Sequence, residues 1–145
     1  MFSMGGRVPK YIYIPVSNEI LGGLTSFETH DEVLDKKELR LKWLGSSDIF
    51  FEEKWLFLFS YPRNHEGLLK ELDRSNSKWV VWLNADQNKP TQVGSYNNLI
   101  FVKLPFLDQS DFDRLLQVCD LLWVRGEESL SRALLSGVPF FWEAY

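Results

Sequence analysis

Asp120 to Trp142 runs DLLWVRGEESLSRALLSGVPFFW. Asp120 to Val124 is an apolar run of strand length, and Arg125 passes directly into Gly126-Glu127-Glu128-Ser129, a helix opening. That helix continues through Leu130, Ala133 and Leu134 and stops at Gly137, with Pro139 behind it and a new strand beginning at Phe140 to Trp142. A strand, a helix and a strand in succession read as a βαβ unit, whose strands pair in parallel.

The same alternation extends upstream. Lys10 to Val16 reads as a strand running into a loop at Ser17-Asn18 and Gly22-Gly23, and a helix capped by Asp31 carries Val33, Leu34, Leu41, Trp43 and Leu44 up to Gly45. Trp55 to Tyr61 (WLFLFSY) is almost wholly apolar and too short for an independent helix, so it is a strand buried on both faces, ended by Pro62. Glu66 to Arg74 is a short amphipathic helix, Lys78 to Leu83 (KWVVWL) a second buried strand, and Asn84 to Asn98 a polar loop. Leu99 to Lys103 is a strand, after which Ser110 or Asp111 caps a helix bearing Phe112, Leu115, Leu116 and Cys119. The pattern predicts one α/β domain over residues 1–145, a Rossmann-like parallel sheet with helices on both faces. Ligands of such sheets sit at the carboxyl ends of the strands, which directs attention to the loops after Val16, Tyr61, Lys103 and Val124.

Composition narrows the chemistry. The 145 residues carry a net charge of -4 and no dense basic stripe, so nucleic acid is not the expected partner. One cysteine, Cys119, allows no internal disulfide, and His30 and His65 stand apart with no cysteine at metal-ligand spacing, so no metal is expected. Neither a membrane span nor a secretory leader is visible, and the expected setting is cytoplasmic. Six Trp and eleven Phe are many for a small domain; aromatic rings build cores, and they also stack on nucleobases.

Two clusters carry possible chemistry. No G-x-G-x-x-G follows a strand and no P-loop is present, so a nucleotide would need another grip. Arg125 on the Gly126–Ser129 helix start offers one, because free N–H groups, the positive end of the dipole and a guanidinium all favour a phosphate. The same residues also suit a surface ion pair and an ordinary acidic first turn. In the second cluster, Phe106 and Phe112 can line a slot for a flat base whose edge Gln109 reads, or they can be core residues on a folded-back loop.

The stretch LPFLDQSDFDRLLQVCDLLWVRGEESLSRALLSGVPFFW, from Leu104, resembles the C-terminal signature of the protein-arginine rhamnosyltransferases that modify elongation factor P, the EarP family: LPFL-x-Q, a [YF]DRLL helix, a V-R-G-E-D-S segment and a W-x-x-Y ending. Gly22-Gly23-Leu24 and Phe59-Ser60-Tyr61 resemble upstream family features more loosely. The resemblance implies the C-terminal, donor-binding half of a two-domain GT-B glycosyltransferase, with dTDP-rhamnose as donor, elongation factor P as acceptor and no cofactor. It implies that Phe59, Phe106 and Phe112 flank the thymine, Gln109 reads its edge, Tyr61, Arg125 and Ser129 hold the diphosphate, and Glu127 and Glu128 lie on the ribose and phosphate side. Glu128 replaces the family's usual Asp, and Trp142-Glu143-Ala144-Tyr145 lacks the His-Ile and Pro-Gln that surround that Tyr in the family. The resemblance further implies that the N-terminal acceptor domain and a closing C-terminal helix lie outside this chain. The expected reaction is an inverting displacement on an arginine, whose guanidinium is a poor nucleophile until a carboxylate orients it and takes a proton. No residue here is expected to be that base; Asp108, Asp111 and Asp113 read as helix-start residues, and the chain alone is expected to be inactive. The alternatives are a nucleotide-binding fragment without catalysis and a Rossmann-like interaction domain.

Overall fold

A computed structural model describes residues 36, 38–40, 52–87 and 96–144. Within them the order is β1 (Lys54–Leu58), α1 (Glu66–Arg74), β2 (Trp79–Leu83), β3 (Leu99–Lys103), α2 (Gln109–Val118), β4 (Leu121–Arg125), α3 (Gly126–Ser136) and β5 (Phe140–Glu143). All neighbouring strands pair in parallel, in the order β3-β2-β1-β4-β5. The Lys10 to Val16 strand and the glycine pair lie outside the described residues. Of the helix expected from Asp31 to Gly45, residues 36 and 38–40 are described, and they are helical.

Why these runs become parallel strands is visible in their burial. Trp55, Leu56, Phe57 and Leu58 of β1 are all buried, as are all five residues of β2, because each strand is covered from both sides. Trp55, Phe57, Val80, Trp82, Leu122 and Val124 face Leu115, Leu116 and Val118 of α2 and Ala133 of α3. The alternate residues Leu56, Leu58, Val81 and Leu83 face Leu69 and Leu72 of α1. Much of the aromatic content is core: the Trp55 and Trp82 rings meet edge to face at 4.8 Å, and Phe112 meets Phe57 at 5.5 Å.

The helix ends follow their local chemistry. The cap of α2 is Asp108, earlier than Ser110 or Asp111: its side chain accepts from the Asp111 N–H at 2.8 Å, two residues into the first turn, where the chain turns out of the Leu104–Leu107 segment. Gly137 closes α3 with a left-handed φ of 68°, which favours glycine. Strand ends also shift: β1 stops at Leu58, so Phe59, Ser60 and Tyr61 belong to the loop above the sheet, and Arg125 is the last residue of β4.

At the amino end of the sheet, Asp120 ties three pieces together. Its Oδ2 accepts from the Trp55 N–H (2.8 Å) and from Arg40 Nη2 (2.7 Å), and its Oδ1 accepts from Lys36 Nζ (3.1 Å). Arg40, itself buried, also donates to the carbonyls of Val118 and Glu53 and lies 4.4 Å over the Trp55 ring. Cys119 is fully buried beside this group, and burial pushes its thiol up, away from the reactive thiolate.

Candidate functional site

From β1 the chain leaves through α1 to β2 on one side of the sheet, while from β4 it leaves through α3 to β5 on the other. The strand order reverses between β1 and β4, and a crevice opens above their carboxyl ends, the usual ligand position in such sheets. Phe59, Tyr61, Arg125, Gly126, Glu127, Glu128 and Ser129 line a cleft of about 580 Å³ there. Six of the nine residues expected from the sequence therefore stand together.

The floor of the cleft is the join of β4 and α3. Gly126 has a φ of 74°, a left-handed conformation that lets the strand turn into the helix without a turn of coil between them. Arg125, at the N-cap position, makes no side-chain cap bond, so the first-turn N–H groups of α3 remain open to a ligand. Behind them Trp142 Nε1 donates to the Gly126 carbonyl at 3.0 Å, which seats the helix start against β5.

Arg125 is held in place from several sides. Its Nη1 donates to the Ser60 carbonyl (2.8 Å) and its Nη2 to Asp86 Oδ2 (2.6 Å). Its guanidinium lies 4.7 Å from the Phe59 ring centre and 5.1 Å from that of Tyr61. Partial burial would raise the Asp86 carboxyl, but hydrogen bonds from Arg125 and Asn84 outweigh this and hold it below its ordinary value. Asp86 thus sits as an anion on the cation at the cleft mouth.

The remaining expected residues are arranged differently from a closed slot. Phe112 packs edge to face on Phe59 at 5.3 Å and also touches Phe57, so it continues the core into the cleft wall. Phe106 is 89% exposed on the loop before α2. Gln109 opens α2, and with its amide oriented to satisfy both ends its Oε1 accepts from Arg132 Nη1 (3.2 Å) and Nε (3.0 Å). Arg132, buried on α3, binds both oxygens of Asp113 (2.8 and 2.6 Å) and Glu128 Oε1 (3.2 Å). Asp113 and Glu128 are thus partners in a staple between α2 and α3.

Sequence reasoning missed Ser60, Asp86, Gln87 and Glu143. Gln87 Nε2 donates to the Ser60 carbonyl, and Glu143 Oε2 accepts from the Tyr61 N–H at 2.9 Å. Asp86 and Gln87 lie in a polar stretch with no motif, while Glu143 leaves one trace, a carboxyl directly after the apolar run Phe140 to Trp142. Next to Glu143 lies His65, edge-on to Trp123 at 4.9 Å; burial lowers its pKa, against the pull of Glu143. Among the described residues no group of three or more His, Cys, Asp or Glu is placed to hold a metal ion, and no helix is long and apolar enough to cross a membrane.

Comparison with known proteins agrees with this architecture. The profile of the family described as Elongation-Factor P (EF-P) rhamnosyltransferase EarP matches residues 2–145. The protein-arginine rhamnosyltransferase of Pseudomonas aeruginosa is 55% identical over 157 aligned positions, covering 94% of this chain and 42% of the relative. That of Neisseria meningitidis serogroup B is 54% identical, covering 95% and 40%. A chain solved to give the structural basis for EarP-mediated arginine glycosylation of translation elongation factor EF-P superposes with a TM-score of 0.60 at 29% identity, over 75% of this chain and 40% of that one. The chain spans about two-fifths of the length of these relatives.

Proposed function

The chain belongs to the EarP family, and from that premise we propose that it is the donor-binding half of a protein-arginine rhamnosyltransferase, taking dTDP-rhamnose for transfer to an arginine of elongation factor P. One observation carries the reading: the uncapped start of α3 and the guanidinium of Arg125 meet at the switch point of the sheet, beside the rings of Phe59 and Tyr61. Such a place suits a doubly charged diphosphate joined to an aromatic base.

In this reading Tyr61, Arg125 and Ser129 hold the diphosphate, and Glu127 and Glu128 face the ribose and phosphate side. Phe59 and Phe112 form one wall for the thymine, and Phe106 and Gln109, on the loop and first turn beside it, supply the other wall and the polar edge. As the acceptor nitrogen attacks the anomeric carbon, the bond to the diphosphate breaks, and its growing charge is met by the α3 N–H groups and Arg125. The reading calls for no metal or cofactor. The acceptor proton passes to a carboxylate outside this chain, and one displacement inverts the anomeric centre.

Calorimetry with dTDP, UDP and ADP tests the site. The expected order places dTDP tightest and ADP weakest. Equal affinity for all three, or no binding by folded protein, would reject the pocket.

A further inference from the structure

The cleft is shaped by a peptide unit that two strands grip from opposite ends. Arg125 and Glu143 are register partners on β4 and β5, so their side chains leave the same face of the sheet side by side. Both reach the Ser60–Tyr61 peptide above β1. Arg125 Nη1 donates to its carbonyl at 2.8 Å, and Glu143 Oε2 accepts from its N–H at 2.9 Å. Gln87 Nε2 donates to the same carbonyl. Glu143 is 7% exposed, with its other oxygen 3.8 Å from His65 Nε2 and 4.0 Å from Arg63 Nε.

We infer that Glu143 is a positioning residue for the anion site, acting through the Ser60–Tyr61 peptide. A loop peptide held only at its carbonyl can rotate about the flanking bonds, and the Tyr61 ring and the Ser60 oxygen would rotate with it. Held at both ends, it fixes the carbonyl that orients Arg125 and the ring on which the guanidinium rests. A carboxyl costs free energy when buried, as here at the end of β5, and the Tyr61 N–H supplies the hydrogen bond that makes the position tolerable. This role rests on the cleft being the donor site proposed above.

Reach and charge can be separated by substitution. Glu143→Gln keeps an oxygen at full length and loses the charge; Glu143→Asp keeps the carboxylate and retracts it by one methylene. Backbone amide exchange at Tyr61, followed by NMR without ligand, should stay within about threefold of the parent in E143Q and rise about tenfold in E143D, the scale of one lost hydrogen bond. Exchange at Leu56 and Val80 in the sheet core should be unchanged in both. With dTDP, E143Q should bind within about threefold of the parent and E143D about tenfold more weakly. The inference is overturned if the two variants behave alike, if E143Q is the weaker, or if core amides accelerate together with Tyr61. Because the exchange readings need no ligand, a parent protein that fails to bind dTDP rejects the donor site while the clamp is still judged.

Discussion

Arg125 combines two duties that a pair of ligands, with and without phosphate, can separate. Its guanidinium supplies charge to the cleft, and its Nη1 bond to Ser60 helps shape the wall. Asp86 holds Nη2 at 2.6 Å, so a phosphate oxygen arriving there replaces one anionic acceptor with another. The net gain is smaller than for a bare guanidinium. Arg125→Ala should therefore weaken dTDP by about 1.5 kcal/mol, the lower end for a charge-assisted hydrogen bond, and thymidine by much less. Paired titrations of the two ligands check this. An equal loss for both would make Arg125 a wall residue only. Of this local arrangement the sequence shows Arg125 and its helix start, because residues adjacent in the chain must stay adjacent in space. It does not show Asp86, Gln87 or Glu143, which arrive from the loop after β2 and from the end of β5 through tertiary contacts that no local pattern records.

Among the elements, β1 and β4 are joined at both ends by polar groups, with apolar packing between. At the carboxyl end the joint is Arg125 on the β1 loop; at the amino end it is Asp120, which receives Trp55, Lys36 and Arg40. Burial alone would raise the Asp120 carboxyl, but the Trp55 N–H and the two cations outweigh it and hold the group below its ordinary 3.8. The unfolded chain therefore binds the proton more readily than the folded one. The stabilisation from this group is complete above 3.8 and is lost as pH falls through the depressed folded value. Asp120→Asn should cost about 2 kcal/mol at neutral pH, with Lys36 adding little because it is partly exposed. The gap between parent and variant should close in strongly acidic solution, as thermal melts across a pH series would record; a gap independent of pH would exclude the carboxylate as its source. Elements of this length are legible because burial on both faces leaves continuous apolar runs in β1 and β2, and because α1 carries a clear stripe. Their ends are less so. Phe59 and Tyr61 carry the aromatic pattern on past the strand, yet β1 ends at Leu58 and those rings pack against Arg125 and Phe112 above the strand ends.

At the scale of the molecule the sheet offers one wall of a cleft. The lining residues come from β1's loop and from the β4–α3 join, and beside the carboxylates of Glu127 and Glu128 they present a cation, helix N–H groups and aromatic rings. These suit a donor's diphosphate and base. A guanidinium acceptor needs in addition a carboxylate placed to orient it and take its proton, and a second surface that keeps water from the activated sugar. Glu128 is engaged by Arg132, and Asp86 and Glu143 are engaged by Arg125 and by the Tyr61 N–H. The chain also spans about two-fifths of its relatives' length. We therefore expect that it transfers no rhamnose to elongation factor P by itself while still binding dTDP-rhamnose. Mass spectrometry of elongation factor P after incubation with the donor would read the added deoxyhexose, first with this chain alone and then with the remaining portion of a family member supplied in trans. Modification only in the second case supports the division of labour. An arginine modified by the chain alone would place the base within it, and Glu127, exposed at the cleft without an ion pair among the described residues, would be the first carboxylate to replace.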